Sequence, residues 1–321
     1  GIVVDLRDNG GGSLLEATTL TGLFIDRGPV VQVRNSNGRI STEEDLESGM
    51  AWDGPMAVLV NRYSASASEI FAAAIQDYGR GVVIGEPTFG KGTVQSLIDL
   101  DDYAPSDTAS AGQLKLTMAQ FFRVNGGSTQ NKGVVPDIRF PSAGDPQEYG
   151  ERSLPNALPW TSIDSARFEK SGDLSRLVAV ADNRYQARSS LDEEFNWLLA
   201  DINEFNENSD RTEVSLLEST AREEMAKEEA KREERKAKRN GVDRVIDGTE
   251  VPDAEDFDEF SNADLEGLET EEEEDENKPD LMLREAAAIV ADLVELTADI
   301  ELLNRQFSQL LDKEALKPQV N

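Results

Sequence analysis

The stretch MAVLVNRYSASASEIFAAAIQDYGRGVVIGEPTFGKGTVQ, residues 56–95, decides the fold. It opens with an apolar run, 56–61, that is typical of a buried strand. Small residues then lead into a helical pattern over 66–78, which starts with the capping-box sequence Ser-Ala-Ser-Glu. A β-branched run follows at 82–85. This alternation predicts an α/β unit whose strands are covered on both faces.

The same alternation extends outward over residues 1 to about 140. It predicts one more helix and four more strands: helix Ser13–Phe24 and strands Ile2–Leu6, Val30–Val33, Thr93–Leu97 and Leu114–Thr117. The first strand has neither a Met nor any lead-in before it. We therefore interpret the chain as a fragment whose N-terminal part is missing.

A Pro- and Gly-rich connector, 141–160, separates this α/β core from a mainly helical C-terminal domain, 161–321. Helical spacing dominates 177–205 and 221–239, and a single long amphipathic helix is predicted over 283–310. Residues 247–280 hold 17 acidic residues against one lysine. We expect this acidic segment to be a disordered loop.

Composition limits the chemistry of this 321-residue chain. It has 64 acidic and 32 basic residues, a formal net charge of −32, which disfavours binding to nucleic acid or to an anionic membrane surface. No apolar run reaches the roughly 18 residues of a transmembrane helix. The absence of Cys and His excludes thiolate and histidine chemistry, including a Ser-His-Asp triad. Catalysis must use Ser, Lys, Asp, Glu, Tyr or the backbone.

Three unusual loops follow predicted strands: a glycine loop (residues 5–12), a serine loop (61–69) and a lysine loop (85–95). In open α/β sheets, catalytic groups gather at the C-terminal ends of strands, so the three loops could share one cleft. The glycine run either turns the chain into a helix or offers its amides as half of an oxyanion hole. The lysine loop resembles a P-loop, but Gly92 stands where a P-loop needs Ser or Thr.

Ser66 and Lys91 are the candidate nucleophile and base. Ser66 has the competing interpretation of a simple N-cap partnered by Glu69. Lys91 could equally be a surface lysine on a glycine turn. As a base it must be uncharged, which requires burial away from carboxylates, and the apolar residues around it are consistent with that. Gln95, four residues on, could orient the neutral amine without charging it.

Three segments resemble the catalytic core of the C-terminal processing proteases, most closely their bacterial tail-specific branch: GIVVDLRDNGGG (1–12), NRYSASASEIFAAAIQDYGRGVVIGEPTFGKGTVQ (61–95) and NKGVVPDI (131–138). A fourth segment, SLPNALPWTSI (153–163), resembles the C-terminal domain of the tail-specific branch. The resemblance implies a catalytic core of the crotonase and Clp-protease type. It assigns the nucleophile to Ser66, the general base to Lys91 and the lysine-orienting residue to Gln95. The oxyanion amides fall on Gly12 and Ala67, whereas Ser64 and Ser68 have no role.

The resemblance also implies an activity and a setting. It predicts a bacterial, periplasmic serine endopeptidase that selects proteins by apolar C-terminal residues and needs no metal or cofactor. The family's PDZ domain and signal peptide lie outside this fragment. The helical domain could additionally serve as a scaffold for partners such as a lipoprotein adaptor.

Two other functions remain open at this stage. One is a non-catalytic peptide-binding scaffold on the same fold. The other is a crotonase-like acyl-CoA enzyme, which needs oxyanion amides but no Ser-Lys pair.

Overall fold

The computed structural model of the protein describes residues 1–103, 110–209, 211–241 and 280–315. The chain divides into two compact units, one within Gly1–Asp210 and Leu281–Asn321 and the other within Arg211–Asp280. Among the described residues, no helix combines the length and apolar character needed to cross a bilayer. The acidic segment 247–280 lies outside the described residues except for Asp280, so its expected disorder stays a prediction.

A parallel sheet forms the centre of the first unit. Its strands, in spatial order, are β1 (Ile2–Asp5), β4 (Met56–Val60), β5 (Val82–Gly85) and β8 (Ile138–Arg139). Strands β4 and β5 are buried throughout, as their continuous apolar runs predict. Alternate side chains of β4 enter two different cores, because successive residues of a strand point to opposite faces.

A second, antiparallel sheet was not predicted. Its order is β3 (Ile40–Asp45), β2 (Gly28–Asn35), β7 (Gln113–Phe122) and β6 (Thr93–Asp99). The sequence does not predict strand β3, because its residues, ISTEED, are mostly charged or polar and lack an apolar strand pattern. Such residues suit an edge strand, where they discourage further strand pairing.

Helix α2 (Ala67–Asp77) lies between the two sheets. Phe71 and Ile75 pack with the parallel sheet, whereas Ile70 and Ala74 pack with the antiparallel sheet and helix α1 (Leu14–Gly22). A helix that is buried on every side cannot rotate or slide without disturbing both cores. Its first residue is consequently held in a fixed position.

Helices cover the opposite face of the parallel sheet. They are α3 (Ser175–Ser189), α4 (Glu193–Ser209) and α6 (Leu281–Ala298), whereas α7 (Ile300–Ala315) packs on α3 and α6. Their buried residues share one core with β4, β5 and β8. Arg188 pairs with Glu285 and Asp292, and Arg184 pairs with Asp292 at 2.6 Å, so ion pairs join α3 to α6.

The single long helix predicted over 283–310 is wrong. The chain forms α6 and α7 with a break at Asp299, whose carboxylate accepts a hydrogen bond from the Leu302 amide at 2.9 Å. A side chain that caps a new helix satisfies one of its unpaired amides and so stabilises the interruption. The apolar spacing continues across the break and could not reveal it.

Helix α5 (Glu218–Gly241) belongs to the second unit. Its side chains form exposed ion pairs at helical spacing, such as Arg222–Glu218 and Lys238–Glu234. Each exposed pair of this kind contributes only about 0.2–0.5 kcal/mol. The helix predicted over 221–239 is confirmed.

We expect Ile289→Ala to lower the free energy of unfolding by about 2–5 kcal/mol. Ile289 is fully buried between α6 and the parallel sheet, so truncation leaves a cavity in the shared core. Val294→Ala, on the same helix but 41% exposed, is the matched control and should cost far less. Urea denaturation measures both; equal losses would contradict the packing described.

Candidate active site

The glycine, serine and lysine loops follow β1, β4 and β5, which are neighbours in the parallel sheet. Their positions at the C-terminal ends of adjacent parallel strands bring them together, as the sequence predicts. The Phe89 amide donates to the Ser64 carbonyl oxygen at 3.0 Å, which joins the lysine loop to the serine loop. The three loops therefore form one site.

Asn9 fastens the glycine loop to the serine loop. Its carbonyl oxygen accepts from the Ala65 amide at 3.0 Å, and its Oδ1 accepts from the Ser68 hydroxyl at 2.9 Å. The Ser64 hydroxyl donates to the Leu6 carbonyl oxygen at 2.7 Å. The hydroxyls of Ser64 and Ser68 are thus occupied in holding the loops together. Asn9 was missed from the sequence because nothing in its local pattern separates it from an ordinary turn residue.

Ser66 has a backbone conformation that non-glycine residues rarely adopt. Its φ is 55° and its ψ is −112°, and it directly precedes the first residue of α2. Such strain costs about 1–3 kcal/mol and concentrates at functional sites. A sharp, strained turn between a strand and a helix presents the nucleophilic serine in α/β hydrolases. The same arrangement presents Ser66 at the start of a buried helix.

The two amides expected to stabilise an oxyanion lie close to this turn. A Cβ on Gly11 would stand 2.7 Å from the Ala67 amide nitrogen and 2.8 Å from the Ser66 Cβ, so the glycine loop crosses directly over the start of α2. Neither Gly12 nor Ala67 donates its N–H to any acceptor within the described residues. Free amides at a helix start are suited to developing negative charge.

The Glu69 carboxylate joins the serine loop to the lysine loop. Its Oε2 accepts from the Ser66 amide at 2.8 Å and from the Lys91 amide at 3.0 Å. Its Oε1 accepts from the Thr88 hydroxyl at 2.6 Å and from the Gly90 amide at 2.8 Å. Glu69 Oε2 thus binds the backbone amides of both Ser66 and Lys91, the candidate nucleophile and the candidate base. The two amide nitrogens can be no farther apart than two hydrogen-bond lengths.

Burial and hydrogen bonding have opposite effects on the pKa of Glu69. The side chain is completely buried, and this desolvation raises the pKa of Glu69 from 4.5 to about 7, against the lowering effect of its four hydrogen bonds. The Thr88 hydroxyl donates to Glu69, and its oxygen accepts from the Val134 amide at 2.7 Å. All four partners are donors, so the geometry suits the ionised form.

The structure places Lys91 and Gln95 differently from each other. Lys91 is half-buried in the lysine loop, and its side chain has no ion pair with any described carboxylate. Gln95 is exposed on β6, two residues after that strand begins, and does not hydrogen-bond to Lys91 in the described part of the chain. Lys91 precedes the first residue of β6, Thr93, so alternation along the strand does not determine whether Lys91 and Gln95 lie on one face.

Glu69→Gln should change how stability depends on pH. Because the pKa of Glu69 is about 7 in the folded protein and near 4.5 in the unfolded chain, the folded state binds the extra proton between these values. The contribution of Glu69 to the free energy of unfolding therefore falls as the pH rises from about 4.5 to 7, and it is constant above pH 7. The glutamine variant lacks this fall, although it is less stable overall because one oxygen replaces two.

Urea unfolding at pH values from about 5 to 8 measures this difference. Glu16→Gln, which removes an exposed carboxylate from α1, is the control and should keep the wild-type pH dependence. Parallel pH profiles for the wild type and Glu69→Gln would contradict a raised pKa at Glu69.

Two protein-family models match this chain. Residues 1–140 match the family described as Peptidase family S41, and residues 144–295 match the C-terminal domain of tail specific protease (DUF3340). The chain is 41% identical over 304 residues to the tail-specific protease of Haemophilus influenzae, which covers 93% of this chain and 41% of that protein.

Two further relatives match over shorter stretches. The carboxy-terminal processing protease CtpA of Bacillus subtilis is 34% identical over 188 residues, 58% of this chain and 36% of that protein. Among solved structures, the photosystem II D1 C-terminal processing protease is 34% identical, with a TM-score of 0.36, over 45% of this chain and 34% of that one. The chain spans less than half the length of each of these relatives. Residues 1–140 belong to peptidase family S41, and residues 144–295 belong to the C-terminal domain of tail specific protease.

Proposed function

We propose that the protein is a serine endopeptidase in which Ser66 is the nucleophile and Lys91 the general base. The observation that supports this most is the strained turn at Ser66, tied through Glu69 to the backbone of Lys91. Strain at a serine that begins a fully buried helix has no evident structural benefit, since an unstrained N-cap would begin the helix equally well. Family membership supports the same assignment.

In the proposed reaction, the Ser66 oxygen attacks the scissile carbonyl carbon while neutral Lys91 accepts its proton. The oxyanion accepts hydrogen bonds from the amides of Gly12 and Ala67, each worth about 2.7–4 kcal/mol of barrier in comparable hydrolases. Lys91 then donates the proton to the departing amine. Water, activated by the same lysine, attacks the acyl-enzyme carbonyl and releases Ser66.

Gln95 is proposed to orient the Lys91 amine during this cycle. An amide can accept a hydrogen bond from the amine and yet leave it neutral, whereas a carboxylate would favour the ammonium form. Since Gln95 is exposed and has no hydrogen bond to Lys91, this role requires the two side chains to approach when substrate binds. Catalytic contacts in serine hydrolases are commonly looser without substrate.

The proposed substrates are proteins with apolar C-terminal tails, cleaved in the bacterial periplasm without a metal or cofactor. The names of the relatives, a tail-specific protease and carboxy-terminal processing proteases, support this class of substrate. A lipoprotein adaptor bound through the helical domain is part of the same proposal. Nucleic acid is not a proposed partner, because the net charge is −32.

We expect Ser66→Ala and Lys91→Arg to abolish cleavage of a tailed substrate in the full-length protein, by more than about 10⁴-fold in kcat. Alanine removes the nucleophile, and arginine keeps the charge but cannot become a neutral base. Peptide cleavage assays, with thermal melts to confirm folding, measure the effect.

The matched controls are Ser96→Ala and Lys115→Arg, which change exposed residues of β6 and β7 and should leave kcat unchanged. A fluorophosphonate probe should label wild-type Ser66 and fail to label Ser66→Ala. Retained cleavage in either site variant would refute the Ser-Lys pair. Hydrolysis of an acyl-CoA thioester without peptide cleavage would instead favour a crotonase-like enzyme, and peptide binding without labelling would favour a non-catalytic scaffold.

Selection by the tail predicts a difference between substrates that share one cleavage sequence. A protein ending in apolar residues should be cleaved faster than the same protein ending in charged residues, since an apolar tail gains free energy when buried, about 25 cal/mol per Å². Steady-state kcat/KM for the two proteins measures this. Equal values would contradict tail selection without affecting the catalytic assignment.

A further inference from the structure

Gln130 is a completely buried polar residue outside the proposed catalytic set. Its Oε1 accepts a hydrogen bond from the Gly92 amide at 2.9 Å, so it contacts the residue that follows Lys91. Its Nε2 donates to the Leu158 carbonyl oxygen at 3.0 Å and to Glu151 Oε1 at 3.1 Å. The side-chain amide therefore joins the lysine loop to residues 151 and 158.

The neighbours of Gln130 continue this contact along the lysine loop. The Asn131 amide donates to the Gly90 carbonyl oxygen at 2.8 Å, and the Thr129 hydroxyl donates to the Lys91 carbonyl oxygen at 2.9 Å. Residues 129–131 thus hold three consecutive residues, 90–92. A Cβ on Gly92 would lie 2.9 Å from the Gln130 Cβ, so only glycine permits so close an approach.

Residues 151–160, in the predicted connector and within the part that matches the C-terminal domain of tail specific protease (144–295), contact residues 128–132. The Trp160 indole nitrogen donates to the Ser128 carbonyl oxygen at 2.9 Å, and the Lys132 ammonium stands 3.8 Å from the centre of the Trp160 ring. The Leu158 carbonyl oxygen accepts a second bond, from the Asn131 side chain at 3.0 Å. The Glu151 amide also bonds directly to the lysine loop, at the Phe89 carbonyl oxygen, at 2.9 Å.

We propose that residues 150–160, which lie in the part of the chain matched by the C-terminal tail-specific protease domain, position the catalytic lysine through Gln130. Gln130 is a positioning residue: it acts on the lysine loop and does not touch the reacting atoms. The inference rests on the proposed function, because it assigns Lys91 as the base. It gives the C-terminal domain a direct role in catalysis in addition to its packing against the sheet.

The inference is tested by replacing the neutral amide of Gln130 with a carboxylate, which changes both its charge and its hydrogen bonds. Gln130→Glu keeps an oxygen for the Gly92 amide but puts a carboxylate against two acceptors, Leu158 O and Glu151 Oε1. Glu151→Gln alone still accepts from Gln130. In the double variant, the amide introduced at position 151 can donate to the carboxylate introduced at position 130. We therefore expect rescue in the double variant, the behaviour of two residues in direct contact.

In the full-length protein, Gln130→Glu should lower kcat by about 10²-fold with little change in KM, because a small displacement of the base has an effect of that size. Glu151→Gln should be near wild type, and the double variant should recover about tenfold. The pH dependence of fluorophosphonate labelling at Ser66 should also shift in Gln130→Glu. A purely structural role would reduce the amount of labelled protein without moving that pH dependence.

A milder variant, Trp160→Phe, keeps an aromatic ring at this position and removes the N–H donor, and it provides a test if Gln130→Glu does not fold. It should lower kcat about threefold to tenfold, the effect of one lost hydrogen bond. Ser165→Ala is the matched control: the Ser165 hydroxyl donates to the Val124 carbonyl oxygen at 3.2 Å, away from the lysine loop.

The outcomes separate this inference from the proposed function. Wild-type kcat and pH dependence in folded Gln130→Glu or Trp160→Phe would overturn the inference, as would an equal loss in Ser165→Ala. Cleavage that persists in Ser66→Ala would overturn the proposed function instead.

Discussion

The site depends on the hydrogen bonds that the Glu69 carboxylate accepts. It lies in the first turn of a helix enclosed by two sheets, and it accepts four hydrogen bonds with no exposure to solvent. Burying a carboxylate is costly unless its oxygens are fully hydrogen-bonded. The donors belong to the serine and lysine loops. The hydrogen bonds that stabilise the buried Glu69 carboxylate therefore also bring these two loops together.

The strain at Ser66 follows from this constraint. Packing on both faces fixes α2, Glu69 holds the Ser66 amide, and Asn9 holds the residues on either side through Ala65 and Ser68. A backbone conformation that costs about 1–3 kcal/mol persists only when its surroundings hold it in several places. The glycine loop can lie against this turn because Gly11, with a φ of 96°, has no side chain to collide with Ala67.

The lysine loop is held from two directions. On one side Glu69 binds the amides of Gly90 and Lys91, and on the other side residues 129–131 bind residues 90–92. The second contact extends into the C-terminal domain through Gln130. Hydrogen bonds therefore connect the lysine loop directly to residues 151 and 158, which lie in the part of the chain that matches the C-terminal domain of tail specific protease.

The sequence by itself determined the elements with strong local signals. Continuous β-branched runs specified β4 and β5, the capping box specified the start of α2, and the order of the three loops specified where the candidate site lies. These features are readable because periodicity, caps and glycine turns act over a few residues. Only the tertiary structure decided which distant groups meet. Strand β3 has no apolar strand signal, because its charged residues are accommodated at the exposed edge of the sheet. Asp299 divides a continuous apolar spacing into two helices. The sequence showed Glu69 only as a capping residue and had no signal for Gln130, since hydrogen bonds to amides 21–38 residues away leave no local pattern.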